Sequence, residues 1–461
     1  MWFNLKEFKD RIDSKRVLKI ALPMMLSNIT VPLLGFVDTA VIGQLGDAKL
    51  IAALGLGSIL ISTLYWLCGF LRMGTTGLTA QAKGSKHTDE VFLTLLRGLL
   101  LGIFLGFFIL ITAYPIFFIF FLISPAEVDV ENLASQYAEI RVLSAPFAIA
   151  TIPIVGWLIA LEKTLSVFYI QFFINLLNII LNFYFVFQLG MGVEGVAYAT
   201  LISEMIGFSL ALFISFKALG DFPKQLREKI FEKQQWKKLL SINSNIFFRS
   251  LLLELVFISF FFWASSFGTN ILAINQILIQ FLHICAYALD GFAFSSEVLV
   301  GIYYGKKNIF ILRRSILICA SWSALTAVIF SVVFLIFVNS FIKFMTNADE
   351  VLKIAKDFQF LIILAPLFSF PAYIMDGVFF GSTHTYEMRK AMIFSTIIYF
   401  ILAVFLTHKP ILEKNYILFG KNILTTNTGV SFYIGQISLH GVVGMAQAKL
   451  PIKLERNLVI I

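Results

Sequence analysis

Long apolar runs separated by short polar segments dominate the chain. They lie near 20–43, 50–73, 91–123, 137–161, 165–188, 193–216, 243–267, 271–302, 315–342, 358–381 and 391–407. About 20 apolar residues let a helix cross the hydrocarbon of a bilayer, so the pattern predicts about eleven transmembrane helices. Gly and Pro interrupt several runs, which membrane helices tolerate where neighbours re-satisfy the freed backbone groups. Ahead of the first run, Met1 to Lys19 alternates charges with Trp2, Phe3, Leu5, Phe8, Ile12 and Val17. That spacing predicts an amphipathic helix lying on the membrane surface. The run behind it is too long for the apolar core of a cleavable signal.

The pattern also repeats. Leu78-Thr-Ala-Gln-Ala-Lys-Gly-Ser-Lys86 matches Leu299-Val-Gly-Ile-Tyr-Tyr-Gly-Lys-Lys307, Ala145-Pro146 matches Ala365-Pro366, and Gly156 matches Gly377, all at offsets of 220 or 221. An even number of spans per unit makes these parallel repeats, and transporters built from two halves bind at the interface between them. The expected organisation is an N-terminal six-helix lobe over 1–217, a linker over 218–240, a C-terminal lobe with five clear helices over 241–407, and an atypical polar tail over 408–461. The sixth span of the second half should recur near 411–437. That segment, with Glu413, Lys414, Asn415, Lys421 and Asn422, is too polar to span. Loss of the last helix, or a frameshift in the gene, would produce such a tail.

Composition agrees with the spans. Of 461 residues 59% are hydrophobic and 14% charged, against roughly 25% charged in soluble domains. The net charge of +9 does not point to nucleic acid, because the basic residues gather in short loops between the runs. They sit in the N-terminus, at Lys83, Lys86 and Arg97, in Lys217–Lys238, at Lys306, Lys307, Arg313 and Arg314, and at Arg389 and Lys390; Ser124–Gln136 is acidic. By the positive-inside rule the N-terminus and linker are cytoplasmic, in a multi-pass protein of the cell (inner) membrane. Cys68, Cys285 and Cys319 all lie in apolar runs without metal-ligand spacing and read as small buried hydrophobes.

Polar residues within the spans carry the candidate chemistry. Asp38 lies deep in the first run, where a carboxylate costs about 2.5–3.5 kcal/mol on insertion scales unless it faces protein or a wet cavity. The eighth run carries Gln276, Gln280, His283, Tyr287 and Asp290, spaced 4, 3, 4 and 3, hence on one helical face. Lipid does not face such a stripe, so it lines a cavity or another helix. Tyr137, Arg141 and Ser144 share a face of the fourth run, and Asn175, Asn178 and Asn182 share one in the fifth. Asn243, Ser250 and Glu254 share one in the seventh, with Arg249 beside it. Thr200 and Glu204 lie in the sixth and Asp376 in the tenth. Intramembrane Asn, Thr and Tyr are more often glue between helices than ligands, and Arg72, Arg141 and Arg249 have acids available to pair with. No Gly-x-x-x-x-Gly-Lys-Ser/Thr phosphate loop, His-Glu-x-x-His or Gly-x-Ser-x-Gly is present. The chain does not read as an enzyme, and any uphill transport would draw on an ion gradient, with no cofactor.

Several segments resemble the multidrug and toxic compound extrusion (MATE) transporters, specifically their DinF branch. They are Ala21-Leu-Pro-Met24, Ser27-Asn-Ile-Thr-Val-Pro-Leu-Leu-Gly-Phe-Val-Asp-Thr-Ala-Val-Ile-Gly43, Phe70-Leu-Arg-Met-Gly-Thr-Thr-Gly-Leu-Thr-Ala-Gln-Ala82, Glu139-Ile-Arg-Val-Leu-Ser-Ala-Pro146 and Ala286-Tyr-Ala-Leu-Asp-Gly-Phe-Ala293. Arg249-Ser-Leu-Leu-Leu253 and Met375-Asp-Gly377 fit as well. The resemblance runs from about residue 15 to 405. It implies an all-α polytopic fold of two six-helix bundles around a central cleft, working by alternating access as a proton- or sodium-coupled antiporter of amphipathic organic cations. It further implies an ion-coupling acid at Asp38, with sodium a possible occupant, beside Tyr137, Asn178, Asn182 and Thr200. Where some relatives carry Asp, this chain has Asn182. Pro23 is the implied bend of the first helix. Candidate substrate contacts are Asp38, Gln276, Gln280, His283, Tyr287, Asp290, Glu254 and Asp376. The expected partners are the lipid bilayer and a small organic cation, with the protein a monomer. The alternatives are a flippase of lipid-linked precursors from the same superfamily, which would want a basic cleft for pyrophosphate, and a relic disabled by its tail.

Overall fold

The computed structural model describes residues 13–219, 228–266, 269–345 and 349–407, and they are helical almost throughout. In chain order the helices are α1 (Ser14–Gly43), α2 (Ala48–Leu67), α3 (Phe70–Gly84), α4 (Thr88–Ile123), α5 (Val128–Val142), α6 (Ala145–Ala160) and α7 (Thr164–Phe183). Then follow α8 (Val193–Leu219), α9 (Lys233–Ser266), α10 (Thr269–Gly305), α11 (Ile309–Met345), α12 (Asp349–Ser382) and α13 (Thr385–Thr407). A π-helical turn, Tyr184–Gln188, extends α7, and a short 3₁₀ turn, Glu228–Phe231, precedes α9.

The apolar runs fall on helix where they are described, with short turns at 68–69 and 143–144 inside two of them. Among the described residues nine helical segments are long and apolar enough to cross a bilayer, ten counting α5 and α6, which meet at a 55° bend, as one broken span. The helix α13 lies outside that set; it opens with Glu387, Arg389 and Lys390. The expected surface helix over Met1 to Lys19 needs correcting in its described part. Ser14–Lys19 is the first stretch of α1 and continuous with the first span. Asp13 starts that helix, its Oδ1 accepting from the backbone N–H of Arg16 at 3.0 Å, a cap for otherwise orphaned donors. No breaker separates Lys19 from Ile20, so the helix runs on. Residues 1–12 and the polar tail, including 411–437, lie outside the described residues.

The chain divides into two compact units, Leu22–Asn243 and Met1–Ala21 with Ser244–Ile461. The first division falls inside α1, one residue before the buried Pro23. Within the first unit α6 packs on α3, α4 and α8, α2 on α5, and α7 on α8. Ile149, Ile154 and Trp157 of α6 are fully buried, while Ile111, Tyr114 and Leu122 of α4 point outward, the arrangement a lipid-facing surface requires. Arg97, buried in α4, donates to the carbonyls of Lys229 and Ile230 and to Glu90, which ties the 3₁₀ turn to this unit. In the second unit α10, α11 and α12 pack on one another around Phe281, Phe334 and Ile362. The start of α1 belongs there: Arg16 donates to the Tyr303 hydroxyl at 2.9 Å, and Ser295 Oγ to the Val17 carbonyl at 3.1 Å.

The repeat emerges as one register. Helix starts at Thr88 and Thr164 recur at Ile309 and Thr385, each 221 residues on. Among the described residues four non-glycine positions have left-handed backbone: Lys86 (φ 62°), Glu162 (64°), Lys307 (53°) and Thr383 (57°). They form two pairs at the same spacing, and each closes a helix identically. Thus His87 N–H donates to the Ala82 carbonyl and Asn308 N–H to that of Tyr303, both at 3.0 Å. Likewise Lys163 donates to Leu158 (2.9 Å) and His384 to Phe379 (3.2 Å). These six-to-one closures satisfy carbonyls that a helix end leaves orphaned. The Ala-Pro match at 220 falls one residue out of this register, where the first unit breaks between α5 and α6 but α12 runs on.

Gly156 and Gly377 share the register and one reason for having no side chain. A Cβ at Gly156 would collide with the Arg72 carbonyl of α3, and one at Gly377 with the Ala293 carbonyl of α10. Arg72 and Ala293 are themselves 221 apart. Backbone cannot retreat as a flexible side chain can, so Gly156→Ala and Gly377→Ala are each expected to destabilise by about 1–3 kcal/mol. Melting of the purified variants measures this; wild-type melting in both would show that the helices can part without cost.

Candidate functional site

The helix α1 carries Asp38 on a half-buried face opposite α7. Asn178 and Asn182 of α7, four residues apart, lie one above the other on a helical face, and both are fully buried. Asn182 Nδ2 donates to Asp38 Oδ1 at 2.6 Å and also lies 2.8 Å from Asn178 Oδ1. Asn178 Nδ2 is 2.7 Å from Thr200 Oγ1 on α8, whose hydroxyl donates to the Val196 carbonyl at 3.0 Å. Asp38, Asn182, Asn178 and Thr200 therefore form one hydrogen-bonded row across three helices of the first unit.

Two further features belong to this row. Asn182 Oδ1 is buried and accepts no hydrogen bond from the described residues, which costs about 1–3 kcal/mol. The Asn178 amide also has a second orientation open to it. Turned over, its oxygen accepts from Thr200 Oγ1 (2.7 Å) and Thr200 N–H (3.3 Å), and its nitrogen reaches Asp38 Oδ1 at 3.3 Å. Its nitrogen then also faces Asn182 Nδ2 at 2.8 Å, so the two amides must turn together, bringing Asn182 Oδ1 toward both Asn178 and Asp38. That arrangement requires a proton on Asp38. A hard cation is the other way to satisfy the orphan, since the carboxylate, amide and hydroxyl oxygens of the row are its preferred ligand type.

Tyr137 is not part of the row. Its hydroxyl accepts from Ser58 Oγ at 3.3 Å, and its ring sits among Val41, Ala53 and Val196. Asn175 donates to the Thr30 carbonyl at 3.1 Å and holds α7 to α1 one turn away.

A second polar centre of the first unit went unpaired in the sequence reading. Arg141 Nη1 and Nη2 grip Glu204 Oε2 and Oε1 at 2.9 and 3.2 Å, and Nη1 donates to Ser144 Oγ at 2.8 Å. The Tyr65 hydroxyl donates to the Arg141 carbonyl at 3.0 Å, and its ring lies under the guanidinium. Both charges were visible as intramembrane residues of opposite sign. Tyr65 left no trace, being one aromatic among many in an apolar run.

In the second unit the expected stripe divides. Gln276, Gln280 and His283 are exposed, whereas Tyr287 and Asp290 are half-buried. Asp376 forms an ion pair with Arg249, whose guanidinium also lies over Phe380. Glu254 is partly buried.

The shared register lets the units be compared position by position. Asp38 corresponds to Ser259 and Asn178 to Tyr399, and these too touch, Ser259 Oγ donating to the Tyr399 hydroxyl at 3.4 Å. The counterpart is neutral and packed against Trp263. Conversely Glu254, Asp290 and Asp376 correspond to Leu33, Gly69 and Val155. Equivalent backbone thus carries different chemistry in the two units.

The MatE family model matches residues 23–184 and 246–407, one copy in each half. The chain is 35% identical over 381 residues to DNA damage-inducible protein F of Escherichia coli K12, covering 82% of this chain and 83% of that protein. To a probable multidrug resistance protein NorM of Neisseria meningitidis serogroup A it is 26% identical, covering 86% and 87%. A crystal structure of MATE in the bent conformation superposes with a TM-score of 0.84 at 19% identity, over 97% of this chain and 98% of that one.

Proposed function

We propose, from the premise that this chain belongs to the MATE family of multi-pass membrane transporters, that it is an ion-coupled antiporter exporting amphipathic organic cations. The observation that carries this reading is the row from Asp38 to Thr200, an intramembrane carboxylate with an orphan oxygen beside it. Loading Asp38 with a proton lets Asn182 and Asn178 turn together and reverses the direction of donation along the row. Sodium would instead engage the same oxygens without the turn. Either event neutralises the carboxylate and favours one packing of α1, with Pro23 as its bend; unloading restores an anionic site. Coupling follows because ion and substrate differ in affinity for the two states.

The basic loops support an N-terminus on the cytoplasmic side. A flippase of lipid-linked precursors is less well supported, because the basic side chains Arg141 and Arg249 are already paired with Glu204 and Asp376.

Dye efflux from proteoliposomes under an imposed proton or sodium gradient tests the proposal. One of the two gradients is expected to drive efflux and the other not. Efflux indifferent to both would overturn ion coupling, and no efflux from well-inserted protein would favour the relic.

A further inference from the structure

The helix α13 carries two unlike surfaces. Met388, Met392, Ser395 and Tyr399 are buried, and Met392 and Tyr399 share a cluster with Val256 of α9. The opposite face is exposed. On it Tyr386, Lys390, Phe394, Ile397 and Ile401 follow one another at spacings of 4, 4, 3 and 4, which keeps them in line down the helix. That line changes character along its length: the first turn is aromatic and basic, and from Ala391 to Thr407 the helix carries no charge.

The basic turn lacks an anion. The Arg389 guanidinium and the Lys390 ammonium both lie at the Tyr386 ring, 5.3 and 4.4 Å from its centre. Among the described residues neither cation is in an ion pair, and the buried Nε of Arg389 has no hydrogen-bond acceptor. Glu387 of the same turn acts on Tyr304 of α10 instead. Two cations at one ring repel each other, and a buried donor without an acceptor is costly. The shared register does not demand them, since the corresponding residues of the first unit are Leu165, Phe168 and Tyr169. Residues 408–461 include six basic side chains and two acidic ones, and a second copy of the chain would bring a net charge of +9. Neither supplies the negative charge that is wanted here.

We propose that the exposed face of α13 binds an anionic phospholipid of the membrane, with its phosphate held by Arg389 and Lys390 beside Tyr386 and one acyl chain lying along Phe394, Ile397 and Ile401. Basic side chains at the edge of a bilayer attract anionic headgroups, a guanidinium fork matches phosphate oxygens, and Tyr suits that depth. The site needs neither a transported substrate nor an ion gradient, so its test leaves the transport reading untouched.

Phe394→Trp places a reporter on the acyl track. The full-length variant is reconstituted in vesicles of phosphatidylcholine and phosphatidylglycerol, and one lipid or the other is replaced by its form brominated in the acyl chains, which quenches Trp on contact. The readout is quenching beyond that of the parent protein. At about fivefold per basic residue, phosphatidylglycerol should bind at this Trp about 25-fold more tightly than phosphatidylcholine. Adding Arg389→Gln and Lys390→Gln should bring the two lipids within twofold, while Arg389→Lys alone keeps most of the preference. Phe104→Trp, on an exposed face of α4, should show no preference beyond twofold. Equal quenching by the two lipids at Phe394→Trp, a preference that survives loss of both cations, or the same preference at Phe104→Trp would overturn the proposal. No quenching by either lipid at Phe394→Trp would also overturn it, by showing the face covered by protein. Loss of the preference to excess inorganic phosphate, but not to chloride at matched ionic strength, would assign the cations to free phosphate and remove the lipid.

Discussion

Asp38→Asn is expected to abolish gradient-driven efflux, lowering the initial rate by about 100-fold or more, while the protein still inserts and folds. The substitution keeps the shape and a partner for Asn182 and removes only the capacity to gain and lose charge. Without a group whose occupancy differs between the two states, a gradient has nothing with which to bias them. The amide is also cheaper to bury than a carboxylate, so the variant should melt no lower than the wild type. That expectation separates lost coupling from lost structure. Efflux at the wild-type rate in vesicles would remove Asp38 from the mechanism, and a large fall in melting temperature would assign it a structural role instead.

The largest effect on stability is expected at Glu204. Its carboxylate faces Arg141, whose side chain is only 8% exposed. Removing one member of a buried ion pair leaves the other charge in a poor solvent and costs about 3–5 kcal/mol. Glu204→Ala should therefore melt far lower than the wild type or fail to accumulate. Glu204→Gln should be milder, since its amide oxygen can still accept from the guanidinium. Replacing the pair together, Arg141→Met with Glu204→Leu, should recover much of the loss, because apolar side chains of similar volume often substitute for buried pairs at little cost. Wild-type melting in Glu204→Ala would mean that Arg141 finds another partner or water.

What could be read from the sequence follows from what helical periodicity encodes. It reports which residues of one helix share a face, so the spans, the Gln276-to-Asp290 stripe and the Asn175, Asn178 and Asn182 face were all visible. It does not report which neighbour that face meets. Arg141 and Glu204 were each conspicuous, but their pairing depends on how α5 and α8 are turned toward one another. The same limit separated Tyr137 from its expected companions: its face was right, and its hydroxyl reaches Ser58 on α2 instead. The repeat was legible from a few matches, whereas its exact spacing needed helix caps, because left-handed positions filled by Lys, Glu and Thr carry no glycine to mark them. The bend between α5 and α6 was hidden inside an apolar run that looked continuous.

The 221-residue spacing of the helix caps has a consequence for insertions and deletions. One extra residue within a helix turns everything after it by about 100° and lifts it by about 1.5 Å, exchanging lipid-facing for protein-facing side chains. The connections offer little slack to absorb it, since Lys86 with His87 and Glu162 with Lys163 are each taken up by a closed cap. From the end of α3 to the start of α7, then, the two halves have exchanged residues freely yet kept the same length between corresponding landmarks. Single-codon insertions placed there should be tolerated far less well than substitutions at the same positions.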